Sequence, residues 1–185
     1  MKGTFRHAAD LLTGVRLLAT LPLVVFVLEE RYESAFWLFV VAGATDIADG
    51  LVARWVNQPT TLGAFLDPVA DKVFLGSMFV VLGIGAAIPL WLVAIVIFRD
   101  AAIGAGTIAL RLRLRQFRVE PLVAGKLCTL AQMLCIGFVL GALAHYVEER
   151  AFVDIAIYGA LAMTIASGIA YLGTAYRLQG SAPAT

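Results

Sequence analysis

The chain has 185 residues, of which 61% are hydrophobic and only 15% are charged, and its formal net charge is +1. A soluble globular domain is nearer half apolar and a quarter charged, so this composition, with a mean hydropathy of +0.90, indicates an integral membrane protein. The small net charge leaves no broad basic field, which argues against a nucleic-acid-binding protein.

Apolar segments long enough to cross a membrane recur along the whole chain. A spanning helix needs about 20 mostly apolar residues. The segments of this length fall at approximately 9–28, 34–56, 62–84, 88–110, 121–145 and 151–176. The sequence therefore predicts one all-α membrane domain, 1–185, with six transmembrane helices. At its ends we expect a short segment of about 1–8, either an interfacial helix or a disordered start, and a flexible tail of about 179–185.

Positive charge is distributed unevenly over the connections between these segments. The outer connections carry only Arg31 and Arg150, both among acidic residues. If the N-terminus is inside, the cytoplasmic side holds Lys2, Arg6, Arg54, Arg111, Arg113, Arg115, Arg118 and Arg177. Because Lys and Arg are retained on the cytoplasmic side, we predict that both termini are cytoplasmic.

Four aspartates flank the connection between the second and third segments. Asp46 and Asp49 are three residues apart near the inner end of one helix, while Asp67 and Asp71 are four apart near the start of the next. Either spacing puts a pair on one helix face, and an antiparallel hairpin would bring the pairs opposite each other. Each Asp costs about 2.5–3.5 kcal/mol at the centre of a membrane helix, so all four need a compensating partner. Hard divalent cations such as Mg²⁺ or Mn²⁺ prefer such oxygen ligands, and a pair of them can clamp phosphoryl oxygens.

Residues around the aspartates complete a longer pattern, D-x2-D-G-x2-A-R-x8-G-x3-D-x3-D. Its fixed positions are Asp46, Asp49, Gly50, Ala53, Arg54, Gly63, Asp67 and Asp71. Glycine lets a bulky ligand approach the backbone and a guanidinium suits a phosphate, although taken singly these residues also fit helix packing or interfacial charge. The complete pattern resembles the signature of the CDP-alcohol phosphotransferase family, whose members share a six-helix membrane fold.

The resemblance implies an enzyme that transfers a phosphatidyl group from CDP-diacylglycerol to an alcohol and releases CMP. It implies catalytic roles for Asp67 and Asp71, with Asp71 as general base for the acceptor hydroxyl. The implied ligands of Mg²⁺ or Mn²⁺, as a pair of ions, are Asp46, Asp49, Asp67 and Asp71. The implied nucleotide and diphosphate contacts are Asp49, Gly50, Ala53, Arg54 and Gly63. The protein would be a homodimer in a bacterial inner membrane, with its site facing the cytoplasm.

Two further stretches concern the alcohol acceptor. DLLTGVRLL resembles the N-x2-T-x2-R opening of bacterial members, with Asp10 where they have Asn. EPLVAGKLCTLAQ resembles the P-x3-G-K-x2-T-x2-Q stretch of phosphatidylglycerophosphate synthases, whose acceptor is glycerol 3-phosphate. On this resemblance the acceptor phosphate would be bound by Arg99, Arg118 and Lys126. The basic cluster from Arg111 to Arg118 either attracts an anionic acceptor or lipid head group, or only sets the topology.

Two alternatives stay open at the level of the sequence. Arg99 precedes Asp100, with which it is expected to pair, and this Arg-Asp form resembles cardiolipin synthases, whose acceptor is phosphatidylglycerol. A divalent-cation transporter would also place carboxylates in the membrane. A transporter would carry them across the whole bilayer, however, and the outer halves of these helices have none in line with the four aspartates.

Overall fold

A computed structural model describes the backbone of residues 18–56, 63–113 and 123–180. Side chains are described within these ranges except at 46–56, 63–69, 108–113, 175 and 177–180. Throughout this part of the chain the backbone forms helices and short turns, with no strand. The expected all-α class is therefore confirmed for the described residues. The expected N-terminal segment, about 1–8, lies outside them.

Six helices follow one another within the described residues. Their bounds are α1 Leu18–Leu28, α2 Tyr32–Val56, α3 Gly63–Ile84, α4 Leu90–Arg113, α5 Val123–Leu143 and α6 Arg150–Gly180. These match the predicted segments to within a few residues, while the predicted start of the first segment lies outside the described residues. Because α6 continues to Gly180, residues 179–180 of the expected flexible tail are helical.

Within the part of the chain that the structure describes, three helices are long and apolar enough to cross a membrane by themselves. These spans are Leu90–Thr107 in α4, Val123–Leu143 in α5 and Arg150–Thr174 in α6. A bundle that contains such helices fits an integral membrane protein. The side of the membrane on which the termini lie stays a prediction.

Helix α5 lies at the centre of the bundle. It packs most extensively against α6 and also contacts α2 and α3, while α4 contacts α3 and α6. The rings of Phe39 on α2 and Phe74 on α3 stack with their centroids 5.8 Å apart. The fully buried apolar side chains of the core include Met78, Phe79, Leu82, Ile136 and Leu140.

One buried polar contact fixes α5 against α6. Gln132 Nε2 donates a hydrogen bond to Thr164 Oγ1 at 3.4 Å, and both residues are almost fully buried. The Thr164 hydroxyl in turn donates to the Ala160 carbonyl at 2.7 Å. Interhelical hydrogen bonds of this kind contribute about 0.6–2 kcal/mol each inside a membrane protein. They therefore help to fix the relative position of these two helices.

The turns after α1, α3 and α5 close in the same way. Each contains one non-glycine residue in the left-handed region, with φ of 57° at Glu30, 56° at Ala86 and 60° at His145. The next residue donates its N–H to the carbonyl five residues earlier, as Ala87 does to Leu82 at 2.9 Å. This is the Schellman geometry, which satisfies carbonyl groups at the end of a helix.

Short turns join antiparallel helices, so the three turns lie at one end of the bundle. We call this end, formed by residues 29–31, 85–89 and 144–149, the turn end. There the Tyr146 hydroxyl donates to Glu33 Oε1 at 2.7 Å and accepts from Trp37 Nε1 at 3.1 Å. The pKa of Tyr146 is raised, mainly by this hydrogen bond to Glu33. Aromatic side chains with a polar group are typical of a membrane–water interface.

The left-handed backbone at Ala86 provides a test of the turn geometry. A non-glycine residue there bears a steric cost of about 1 kcal/mol, which glycine avoids. We therefore expect Ala86→Gly to raise the midpoint of thermal unfolding of the purified protein in detergent. The control is Ala94→Gly at an exposed position inside α4, where glycine is expected to lower the midpoint. If both variants lowered the midpoint of thermal unfolding by a similar amount, the left-handed backbone at Ala86 would be contradicted.

Candidate functional site

Helical backbone carries all four aspartates of the sequence motif. Asp46 and Asp49 lie in α2, and Asp67 and Asp71 lie in α3. Each pair was predicted to share one helix face on the premise that it lies in an α-helix, and the backbone meets this premise. The side chains of Asp46, Asp49 and Asp67 lie outside the described residues, so their expected roles as metal ligands stay predictions.

The other motif residues are described only as backbone. Gly50, Ala53 and Arg54 lie in α2 before its end at Val56, and Gly63 is the first residue of α3. Arg118 falls in the stretch 114–122, outside the described residues. The nucleotide-binding and acceptor-binding roles expected for these residues therefore stay predictions.

Asp71 is half-buried and faces a small cavity of about 30 Å³ between α2, α3 and α5. The opposite wall includes Gly43 of α2 with Thr129 and Met133 of α5. A Cβ at Gly43 would lie 3.5 Å from Met133 Cε, so a side chain at this position would narrow the cavity. A cavity of this size can hold a water-sized group. The α3 motif and the α5 stretch, far apart in sequence, therefore meet at Asp71.

A charged network joins α3 to α4 beside Asp71. Asp100 Oδ1 accepts a hydrogen bond from Arg99 Nη1 at 2.6 Å and lies 3.4 Å from Lys72 Nζ. Lys72 Nζ also donates to the backbone carbonyl of Asp100 at 3.3 Å. The expected pairing of Arg99 with Asp100 is confirmed. The contact of Lys72 with Asp100 was not predicted from the sequence, because the two residues lie 28 positions apart on different helices.

Arg99 is held in a largely buried setting formed by α4 and α6. Its side chain is 12% exposed, its Nη2 donates to the Ser167 hydroxyl, and its Cζ lies 5.8 Å from the centroid of the Tyr171 ring. Among the described residues its Nε has no hydrogen-bond acceptor. Leaving a buried donor unsatisfied costs about 1–3 kcal/mol, so this guanidinium suits an anionic ligand. Ser167 and Tyr171 were missed because α6 reads as an ordinary apolar helix.

Tyr171 also connects Arg99 to the start of α5. A Cβ at Gly125 would lie 3.2 Å from the Tyr171 hydroxyl oxygen, so the ring approaches α5 closely at a position that glycine keeps open. Lys126, the next residue, is exposed in the first turn of α5. Arg99 and the start of α5, where Lys126 lies, therefore both approach the same tyrosine.

Comparison with known proteins gives a family and several relatives. A model of the CDP-alcohol phosphatidyltransferase family matches residues 6–168. A probable cardiolipin synthase (CMP-forming) of Drosophila melanogaster is 38% identical over 121 residues, which cover 57% of this chain and 38% of that protein. The cardiolipin synthase (CMP-forming) of Rattus norvegicus is 37% identical over 105 residues, which cover 56% of this chain and 35% of that protein.

A bacterial relative matches over a larger part of the chain. A probable phosphatidylglycerophosphate synthase of Mycobacterium tuberculosis is 33% identical over 144 residues, which cover 77% of this chain and 66% of that protein. Across these three relatives the chain spans between 35% and 66% of the relative's length.

Asp100 provides a test of the charged network. Asp100→Ala would leave Arg99 buried without its carboxylate, and breaking a buried ion pair in this way costs about 3 kcal/mol. We expect a clear fall in the midpoint of thermal unfolding in detergent. The matched control is Glu29→Ala, which removes an ion pair between side chains that are 57% and 55% exposed. Exposed pairs contribute about 1 kcal/mol or less, so equally small effects of both changes would contradict a stabilising network.

Proposed function

The chain belongs to the CDP-alcohol phosphatidyltransferase family, and we propose that it transfers a phosphatidyl group from CDP-diacylglycerol to glycerol 3-phosphate with release of CMP. The main support is the position of Asp71, which faces Thr129 of α5 across a small cavity. This position joins the four-aspartate motif to the α5 stretch that resembles phosphatidylglycerophosphate synthases. The M. tuberculosis relative with that name covers 77% of the chain.

The acceptor phosphate would be bound by Arg99 and Lys126, with Arg118 as a third cation. A phosphate monoester such as glycerol 3-phosphate carries about −1.5 to −2 charge at pH 7. Arg99 is buried, oriented by Ser167 and Tyr171, and has an unpaired Nε among the described residues. A fixed guanidinium of this kind recognises phosphate through directed hydrogen bonds.

The reaction would proceed by attack of the acceptor hydroxyl on the phosphorus that bears the diacylglycerol. Asp71 would take the hydroxyl proton as the new oxygen–phosphorus bond forms, and CMP would leave with the electrons of the broken phosphorus–oxygen bond. Asp67, four residues before Asp71 in α3, would assist in this reaction. The nucleotide and its diphosphate would be bound by Asp49, Gly50, Ala53, Arg54 and Gly63.

The carboxylates also suit a divalent metal. Oxygen ligands on two consecutive helices fit the preference of Mg²⁺ and Mn²⁺, and the residues that would hold a pair of such ions are Asp46, Asp49, Asp67 and Asp71. When bound, these ions would neutralise the diphosphate and stabilise CMP as a leaving group. We also propose that both termini and the site lie on the cytoplasmic side, supported by the placement of Lys and Arg. The proposal of a homodimer in a bacterial inner membrane rests on the family resemblance alone.

A second candidate acceptor is phosphatidylglycerol, which would make the protein a cardiolipin synthase. Two observations favour it: the Drosophila and rat relatives carry that name, and Arg99 forms its pair with Asp rather than Glu. The family match favours either transferase over the divalent-cation transporter.

The acceptor is tested by CMP release from CDP-diacylglycerol by the purified protein in detergent with Mg²⁺ or Mn²⁺. We expect release with glycerol 3-phosphate, loss of release on chelation of the metal, and a fall of about 100-fold or more in Asp71→Asn because a general base is removed. Asp154→Asn, at an exposed position in the first part of α6, should keep wild-type activity.

The alternatives give different results in the same assay. Release with phosphatidylglycerol in place of glycerol 3-phosphate would identify the second candidate. No release with any alcohol from a folded protein would contradict the proposed transferase. Full activity in Asp71→Asn would contradict the role of Asp71 as the base.

A further inference from the structure

Arg99 of α4 lies against one face of α6. Its Nη2 donates to the Ser167 hydroxyl, and its Cζ lies 5.8 Å from the centroid of the Tyr171 ring. Ser167 and Tyr171 are four residues apart, which places them on the same face of the helix. A Cβ at Gly168 would lie 3.9 Å from Arg99 Cγ, so the stem of the arginine also packs on α6. The guanidinium is therefore held beside the tyrosine ring.

Both terminal nitrogens of the Arg99 side chain already have a hydrogen-bond acceptor. Nη1 donates to Asp100 Oδ1, and Nη2 donates to the Ser167 hydroxyl. Nε is buried and has no acceptor among the described residues. A phosphate monoester presents several terminal oxygens, each a strong hydrogen-bond acceptor. A phosphate bound at Arg99 therefore needs a further donor close by.

The hydroxyl of Tyr171 is such a donor, and it lies beside the start of α5. A Cβ at Gly125, in the first turn of α5, would lie 3.2 Å from the hydroxyl oxygen. Within the described parts of the chain this hydroxyl forms no hydrogen bond. A tyrosine combines a ring that packs with a hydroxyl that usually finds a partner, and Tyr171 is half-buried. The ring of Tyr171 is used by Arg99, which leaves the hydroxyl for a ligand.

We propose that Tyr171 is a further acceptor-binding residue, whose hydroxyl donates a hydrogen bond to the phosphate of the acceptor while Arg99 binds the same phosphate. The inference rests on the proposed function, because it assigns a donor to the phosphate of glycerol 3-phosphate. Lys126 follows Gly125 in the first turn of α5, so a phosphate at this hydroxyl would also lie near the turn that carries Lys126. The acceptor phosphate would thus be bound by α4, α5 and α6 together.

Gly125 controls the space that is available to the hydroxyl. A Cβ contact of 3.2 Å is tighter than usual, so an alanine at this position would displace the hydroxyl oxygen by a few tenths of an ångström. The carbon atoms of the Tyr171 ring would lie at 3.5 Å or more from the same Cβ, which is ordinary van der Waals contact. Alanine at position 125 would therefore disturb a tyrosine at position 171 but would accommodate a phenylalanine.

The first test is Tyr171→Phe, which keeps the ring against Arg99 and removes only the hydroxyl. CMP release is measured in detergent with Mg²⁺ or Mn²⁺ while glycerol 3-phosphate and CDP-diacylglycerol are varied in turn. We expect the KM for glycerol 3-phosphate to rise about tenfold, because a hydrogen bond to a charged group is lost. The kcat and the KM for CDP-diacylglycerol should stay near the wild type. The control, Tyr158→Phe, changes a tyrosine of α6 that is 62% exposed and should leave all constants unchanged.

The second test combines Tyr171→Phe with Gly125→Ala in a double-mutant cycle. Gly125→Ala alone should raise the KM for glycerol 3-phosphate, whereas in the Tyr171→Phe background it should add little, because both changes act on the same hydroxyl. The matched control in α5 is Gly137→Ala, where a Cβ would lie at an ordinary 3.7 Å from Phe39 and the KM should not change. Since Gly125→Ala leaves Tyr171 itself in place, it also tests the inference if Tyr171→Phe folds poorly.

Failure of this inference differs from failure of the proposed function. An unchanged KM for glycerol 3-phosphate in Tyr171→Phe, or an equal rise in the KM for both substrates, would overturn the inference while the proposed function stands. Additive effects of Gly125→Ala and Tyr171→Phe would overturn it as well, because the hydroxyl would then not be the group that the alanine displaces. A wild type that releases no CMP with glycerol 3-phosphate would overturn the proposed function and, with it, this inference.

Discussion

The carboxyl group of Asp100, 19% exposed, lies between two cations, and the contacts of this charged network join three helices. A charge inside hydrocarbon is costly unless it is paired. Asp100 Oδ1 meets Arg99 at 2.6 Å and Lys72 at 3.4 Å, which ties α4 to α3. Arg99 is also bound by Ser167 and lies over the ring of Tyr171, which extends the connection to α6. Because Lys72 follows Asp71, this one carboxyl helps to fix the candidate catalytic residue relative to the other helices.

One end of the bundle is well packed, and the candidate functional residues lie towards the other end. At the turn end, three short turns and the contacts of Tyr146 with Glu33 and Trp37 close the helix pairs. In the middle, α5 packs on α2, α3 and α6, and the Gln132–Thr164 hydrogen bond fixes its position. The four aspartates, Lys72, Arg99 and Lys126 lie in parts of their helices farther from the turn end. The proposed transfer to glycerol 3-phosphate would use such a division, since the lipid donor would arrive from the bilayer and the acceptor from water.

Much of the fold could be predicted from the sequence because membrane helices are bounded by length and charge. The predicted ranges 34–56 and 62–84 differ from α2 and α3 by no more than two residues at either end. The Arg99–Asp100 pair was also predictable, since the residues are adjacent. The contacts of Lys72 with Asp100 and of Ser167 with Arg99 were not, because they join helices that are distant in sequence. The left-handed backbone of the turn residues could not be predicted from the sequence either, because glycine or asparagine is expected in that conformation.

We propose that the aspartates of α2 and α3 form one divalent-metal site. The most direct measurement is a titration of the purified protein with Mn²⁺, followed by electron paramagnetic resonance, for the wild type, Asp67→Asn and Asp154→Asn. We expect saturable binding in the wild type, weaker binding or fewer ions in Asp67→Asn, and unchanged binding in Asp154→Asn. No bound Mn²⁺ in the wild type, or equal binding by all three proteins, would contradict it.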